Sequence, residues 1–216
     1  MKLNWKQISI VFLPAILIVG ITLTIRILQY KPLYPETNTE QKQQDIEQVP
    51  VFPNDAILGS QNAAKTIVAF EDLSCGACKK QHEVFKDLIE KHPNKVKVVW
   101  KGLPIKNIPI SSEEAHRYAF CMNKQDKFQE FADYAFTNSN NLVPEILQGI
   151  TNEIDINQSR LKKCLNSNQP DEYIQKTKEL AKVLNIQAVP SVFVNGEEVR
   201  KPSSVTGWKN VLNINK

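Results

Sequence analysis

Two cysteines spaced two residues apart, Cys75 and Cys78, carry the most reactive side chains of this 216-residue chain. The thiolate is both the nucleophile and the metal ligand. The pair therefore offers thiol–disulfide exchange or half of a zinc site. A structural zinc site wants two further ligands, typically a second close pair. Cys121 and Cys164 are far apart, and His82, His92 and His116 form no paired spacing. A disulfide across two residues is a small loop with little to stabilise. Redox exchange is favoured, with zinc as the rival.

The flanking segments position the pair. Thr66 to Phe70 reads as a buried strand and Lys79 to Lys91 as a helix, with Val84, Phe85, Leu88 and Ile89 on one apolar face. Cys75 would then lie at a helix N-terminus, where backbone N–H groups and the macrodipole favour an anion. Cys78 would fall one turn inside, placed to close a disulfide. The first thiol attacks and the second resolves. Lys79 and Lys80 add positive charge nearby. His82 sits on a helix rich in Lys and Glu and reads as a solvated surface residue; His116 reads as a packing or surface residue.

The first thirty residues are of another kind. Ile8 to Ile25 is an uncharged apolar run of eighteen residues, near the lower limit for a membrane-spanning helix. Trp5 and Tyr30 stand near its ends, as interfacial aromatics do, and Arg26 can snorkel. A cleaved signal peptide would show a shorter apolar core and a small-residue cleavage site. An uncleaved signal anchor over residues 1–30 is favoured over a cleaved one. Four cysteines, an even number, suit an oxidising compartment. The expected topology has the N-terminus inside and the folded domain facing the extracytoplasmic side of a bacterial cytoplasmic membrane. Residues 31–59, with four prolines and a polar run, read as a linker. Residues 60–216 form the domain. A net charge of +4 without a basic aromatic stripe gives no nucleic-acid footprint.

Within the domain, Lys95 to Lys101 alternates as a second strand. Strand, helix, strand suggests a parallel crossover. Ser111 to Glu114 opens a helix with an N-cap and acids in its first turn. Leu103 to Ile105 and Ile108 to Ile110 read as an extended connection, and from Ser111 to about Asn168 the periodicity is helical, broken at Asn138 to Asn141, which gives a helical insertion over about 105–168. A helix from Asp171 to Leu184 follows. Val192 to Val194 is a strand, Asn195-Gly196 a hairpin turn, Val199 to Lys201 the return strand, and Ser204 to Leu212 a last helix.

This order resembles an α/β thioredoxin-like fold with the all-helical insertion of the DsbA-like thiol oxidoreductases. The likeness rests on Ala69 through Cys78, on Val99-Trp100-Lys101-Gly102-Leu103-Pro104, on Cys121 followed by Asp126-Lys127-Phe128, and on Val189 through Gly196. It implies a cis bond before Pro190, against the alternative of a trans proline at a strand start. It also implies that the Val189 backbone pairs with an extended substrate segment. Cys121 and Cys164 are implied to form a structural disulfide; a relay pair and two buried free thiols are the alternatives. The chain departs from the family twice. A buried acid often found six residues before the first cysteine is replaced by Ala69; Glu71 and Asp72 are nearby but need not point inward, so the proton acceptor is water or another group. Gly76-Ala77 between the cysteines brings no histidine to hold a thiolate, which points to a weaker oxidant.

The resemblance implies a thiol–disulfide oxidoreductase that forms disulfides in exported proteins at Cys75–Cys78. A membrane partner of the DsbB or vitamin K epoxide reductase kind would reoxidise it, and no metal or organic cofactor would be needed. A reductase or isomerase is the rival of like chemistry. A membrane-tethered, non-catalytic chaperone or binding module is the rival of another class.

Overall fold

The computed structural model describes residues 17–26, 48–105 and 111–214. The chain divides into two units, Met1–Asp45 and Ile46–Lys216. In the first, residues 17–26 are helical. The rest of the expected anchor and most of the polar linker lie outside the described residues. Among the described residues, no helix is long and apolar enough to cross a membrane.

The second unit is built on one five-stranded sheet of order β1-β3-β2-β4-β5. The strands are β1 (Ala56–Gly59), β2 (Lys65–Glu71), β3 (Val96–Gly102), β4 (Ser191–Val194) and β5 (Glu197–Glu198). Helix α1 (Gly76–Lys91) connects β2 to β3, which run parallel with Ala69 opposite Trp100. Strand β4 pairs antiparallel with β2, placing Val192 opposite Ala69. Residues along β2 alternate between faces. Ile67 and Ala69 join the larger core with Val98, Trp100 and Val192. Val68 and Phe70 join a smaller core with Val99, Phe193 and Leu180.

Helices α2 (Glu113–Asn123), α3 (Phe128–Thr137), α4 (Pro144–Glu153) and α5 (Gln158–Leu165) form the insertion, and α6 (Gln169–Val183) and α7 (Val205–Val211) complete the unit. Cys121 on α2 and Cys164 on α5 are joined by a disulfide, with their Cα atoms 5.8 Å apart. The insertion bears on the larger core through Phe120, Phe131 and Leu147, while α6 brings Leu180 and Ala181 to the smaller one.

Three sequence expectations need correction. The linker does not extend to residue 59: Ala56–Gly59 is a strand paired antiparallel with β3. Just before it, the buried Asp55 carboxylate meets Lys101 Nζ at 2.6 Å and accepts from Tyr173 Oη at 2.7 Å. The return strand is Glu197–Glu198 rather than Val199 to Lys201, because Asn195 (φ 53°) and Gly196 (φ 84°) make a two-residue turn and pairing resumes at once. Ser112 does not cap α2 with its side chain; its hydroxyl is drawn instead to Asp72 Oδ2, 2.9 Å away.

Candidate active site

Strand β2, in the middle of the sheet, ends at Glu71, and a short turn leads into α1. Asp72 shapes that turn. One carboxylate oxygen accepts from the Ser74 N–H at 2.9 Å and the Ser74 hydroxyl at 2.8 Å. The other accepts from the Ile105 N–H and the Ser112 hydroxyl, each at 2.9 Å. The His116 ring stands 3.3 Å from Asp72 and stacks on Trp100. A Cβ on Gly102 would come within 2.5 Å of His116 Nδ1, so the bare backbone there makes room for the ring. Burial alone would raise the Asp72 carboxyl; the His116 side chain and the backbone N–H groups of Ser74 and Ile105 hold it well below the usual carboxylate range.

Cys75 follows as the N-cap of α1, with φ −98° and ψ 117°. Its sulfur accepts from the Cys78 N–H at 3.3 Å, one of the donors a helix N-terminus leaves without intrahelical partners. On its other side lies the Val189 carbonyl oxygen, 3.8 Å away, and the Val189–Pro190 bond is cis. Both thiols are free; Cys75 is partly exposed and Cys78 is buried. The Cys78 side chain, with the N–H groups of Cys78 and Ala77, brings the Cys75 thiol down to about 6 from the usual 9.0. Burial, reinforced by Cys75 and by the charge of Glu71, pushes the Cys78 thiol far up. The two sulfurs are thus driven apart into a ready thiolate and a firmly held thiol.

Glu71 is the nearby acid whose inward direction the sequence leaves open, and the structure buries it. Ala69 is fully buried in the larger core, and no acid stands there. Glu71 lies two residues on along β2 and is itself completely buried. Neither of its carboxylate oxygens makes a hydrogen bond of ordinary geometry among the described residues, although the Trp100 side chain is near enough to act on it. Burial raises its pKa from 4.5 to about 8; Trp100 offsets part of this and the charge of Cys75 adds to it. The signal available in the sequence was parity: a strand residue two positions from an inward-facing one shares its face.

His82 also departs from expectation. It is 2 % exposed, its Nε2 lies 3.0 Å from Asp133 Oδ1, and its ring packs on Phe136 of α3. Lys86 reaches the other Asp133 oxygen at 2.7 Å. Together they tie the active-site helix to the insertion. Cys78, His82 and Phe85 lie on the inward stripe of α1, which decided the outcome over the polar composition of that helix. Among the described residues, no group of three or more His, Cys, Asp or Glu side chains is placed to hold a metal ion.

A protein-family model described as thioredoxin matches residues 51–213. Curated relatives include the Na(+)/H(+) antiporter NhaA 1 of Salinispora arenicola, 26 % identical over 149 residues that make up 68 % of this chain and 23 % of that protein. The chain thus spans about a quarter of the length of that relative. Disulfide bond formation protein D of Bacillus subtilis is 26 % identical over 176 residues, 75 % of this chain and 77 % of that protein. Among solved structures, oxidised BdbD from Bacillus subtilis superposes with a TM-score of 0.66 at 21 % identity, covering 77 % of this chain and 95 % of that one. The likeness to the solved structure extends to the fold.

Proposed function

The chain belongs to the thioredoxin family, and on that premise we propose that it is a thiol–disulfide oxidoreductase that forms disulfides by exchange at Cys75–Cys78. The observation that carries this is the Cys75 thiol, partly exposed at the N-terminus of α1, brought down to about 6 and set 3.8 Å from the Val189 carbonyl oxygen. At pH 7 a thiol with that pKa is ~90 % thiolate. The kinship with disulfide bond formation protein D supports the same chemistry.

In the oxidised protein, a partner thiolate attacks Cys75 Sγ. The Cys75–Cys78 bond breaks, a mixed disulfide forms, and Cys78 departs with the electron pair. Burial makes a Cys78 thiolate costly, so it takes a proton as it leaves. Glu71, protonated at neutral pH, is the donor we assign. A second partner thiol then displaces Cys75 and leaves it as the stabilised thiolate. Stabilising the reduced form makes a dithiol pair more oxidising. The hydrogen bonds to Cys75 thus stand in for the histidine that Gly76-Ala77 lacks, and they favour the oxidase over a reductase or isomerase. A non-catalytic binding module would have no use for two thiols of such different acidity.

Several finer assignments belong to the same proposal. Val189 and Pro190 line the face on which an extended partner segment pairs. The Cys121–Cys164 disulfide is structural. Its sulfurs bridge α2 and α5 across 43 residues, a closure worth ~4 kcal/mol by chain-entropy reasoning. Residues 1–30 serve as a single-pass anchor, and the domain works outside the cytoplasm on exported proteins. A membrane redox partner, DsbB-like or vitamin K epoxide reductase-like, restores the disulfide. The apolar run from Ile8 to Ile25 supports the anchor. The test is oxidation of a dithiol peptide by the oxidised full-length chain. We expect one peptide disulfide formed per chain as Cys75–Cys78 is reduced to the dithiol, and none with Cys75→Ser; equal oxidation by that variant would overturn the proposal.

A further inference from the structure

The segment joining β5 to α7 is held at two points beside the reactive thiol. Lys201 Nζ donates to the carbonyl oxygen of Pro190 at 3.3 Å. One residue on, the Pro202 carbonyl accepts from the Gln81 side chain of α1 at 3.3 Å when that amide is turned so that its oxygen accepts from Trp208 Nε1 at 3.0 Å. Gly207 admits the same segment closely, since a Cβ there would lie 2.6 Å from Pro202 Cβ. The segment is therefore a fixed wall beside the cis-proline loop.

Between them lies an open depression of about 400 Å³, lined by Pro190, Val192, Glu198, Val199, Arg200 and Lys201. Its lining holds two cations and one acid. Arg200 and Lys201 are exposed, and neither forms an ion pair among those described. Pro190 belongs both to this lining and to the cis bond whose Val189 carbonyl touches Cys75. Lys201 is thus linked to the reactive thiol through two adjoining carbonyls, its Nζ on that of Pro190 and Cys75 Sγ against that of Val189.

Resting on the exchange reaction proposed above, we propose that this depression is a subsite for an aspartate or glutamate side chain of the partner, a residue or two from its reactive cysteine. Arg200 offers the planar fork that suits a carboxylate, and Lys201 a point charge held on the Pro190 carbonyl. Glu198 in the same lining opposes a carboxylate and would attract a cation, so the preference rests on the two basic residues outweighing that single acid. The bonds made and broken in exchange are unchanged; the subsite adds binding and orientation.

The test uses three cysteine peptides of one sequence, carrying glutamate, glutamine or lysine two residues to either side of the cysteine. Each is mixed with the oxidised full-length chain, and mixed-disulfide formation is followed at ~20 mM and ~500 mM salt, where screening differs strongly. We expect the glutamate peptide to react ~5-fold faster than the lysine peptide at low salt, the scale of an exposed ion pair. That ratio should fall toward one at high salt and in Arg200→Gln/Lys201→Gln. Equal rates for the three peptides, or a ratio that survives both treatments, would overturn the subsite while leaving the exchange reaction standing. No reaction with any peptide would overturn the exchange reaction and the subsite with it.

Discussion

Replacing Glu71 with glutamine should make the protein more stable and less active, both to a measurable degree. The Glu71 pKa is about 8 in the folded protein against an ordinary 4.5. Between those values the unfolded chain has lost the proton that the native state keeps, so native stability falls as pH rises. Its stabilising contribution is complete below about pH 4.5 and lost as pH passes 8. At ~1.4 kcal/mol per pH unit, the loss between pH 5 and pH 8 is on the order of 3 kcal/mol. Glutamine keeps the shape without the titration. For a domain of this size each kcal/mol moves Tm by ~2–4 °C, so Glu71→Gln should melt ~6–12 °C higher than the natural protein at pH 8 and near it at pH 5. The oxidised form is the one to use; there the charge of Cys75 is absent and burial, the largest cause, still holds the Glu71 carboxyl up, so the differences above are upper values. In the reduced form the lowered Cys75 thiol works in the opposite sense over part of this window, since its stabilising contribution is complete only above pH 9 and is lost as pH falls through about 6. The same variant should slow exchange about a hundredfold at pH 7, the usual scale for losing a positioned acid. Matching pH dependence of Tm in the two proteins would refute the buried acid; unchanged exchange would refute its role as proton donor to Cys78.

Other perturbations separate architecture from chemistry. Asp72→Ala withdraws acceptors from the Ser74 and Ile105 N–H groups, and equilibrium unfolding should show a loss of ~3 kcal/mol or more. Cys121→Ala/Cys164→Ala should lower stability by ~2–4 kcal/mol while peptide oxidation at 25 °C stays within twofold; abolished oxidation in a folded variant would mean the pair relays electrons. Alkylation of the reduced chain by iodoacetamide should rise with pH to half its plateau near pH 6, and a midpoint near 9 would remove the thiolate on which the oxidase direction depends.

The central strands, the active-site helix and the all-helical insertion are legible because period and spacing express them locally. Cys75 and Cys78 stand out by type and distance, whereas Val189-Pro190 is singled out by the family resemblance. What escaped was settled by contacts distant in sequence. Strand β1 is four residues long and follows Pro53; its membership in the sheet depends on β3, and the neighbouring Asp55–Lys101 pair spans 46 positions. His82 was judged by the charges around it, although its spacing from Cys78 and Phe85 places it on the inward stripe of α1. Glu71 was legible in principle. Its parity with Ala69 turns it to the same face, yet a carboxyl facing a core runs against the expectation that buried polar groups find partners. Sites of chemistry are where such local rules fail.

A redox titration of the full-length chain against glutathione tests the central claim most directly. The lowered Cys75 thiol stabilises the reduced form, so the Cys75–Cys78 couple should lie well above the ~−270 mV of thioredoxin. A potential at or below that value would contradict disulfide formation as the direction in which this site works.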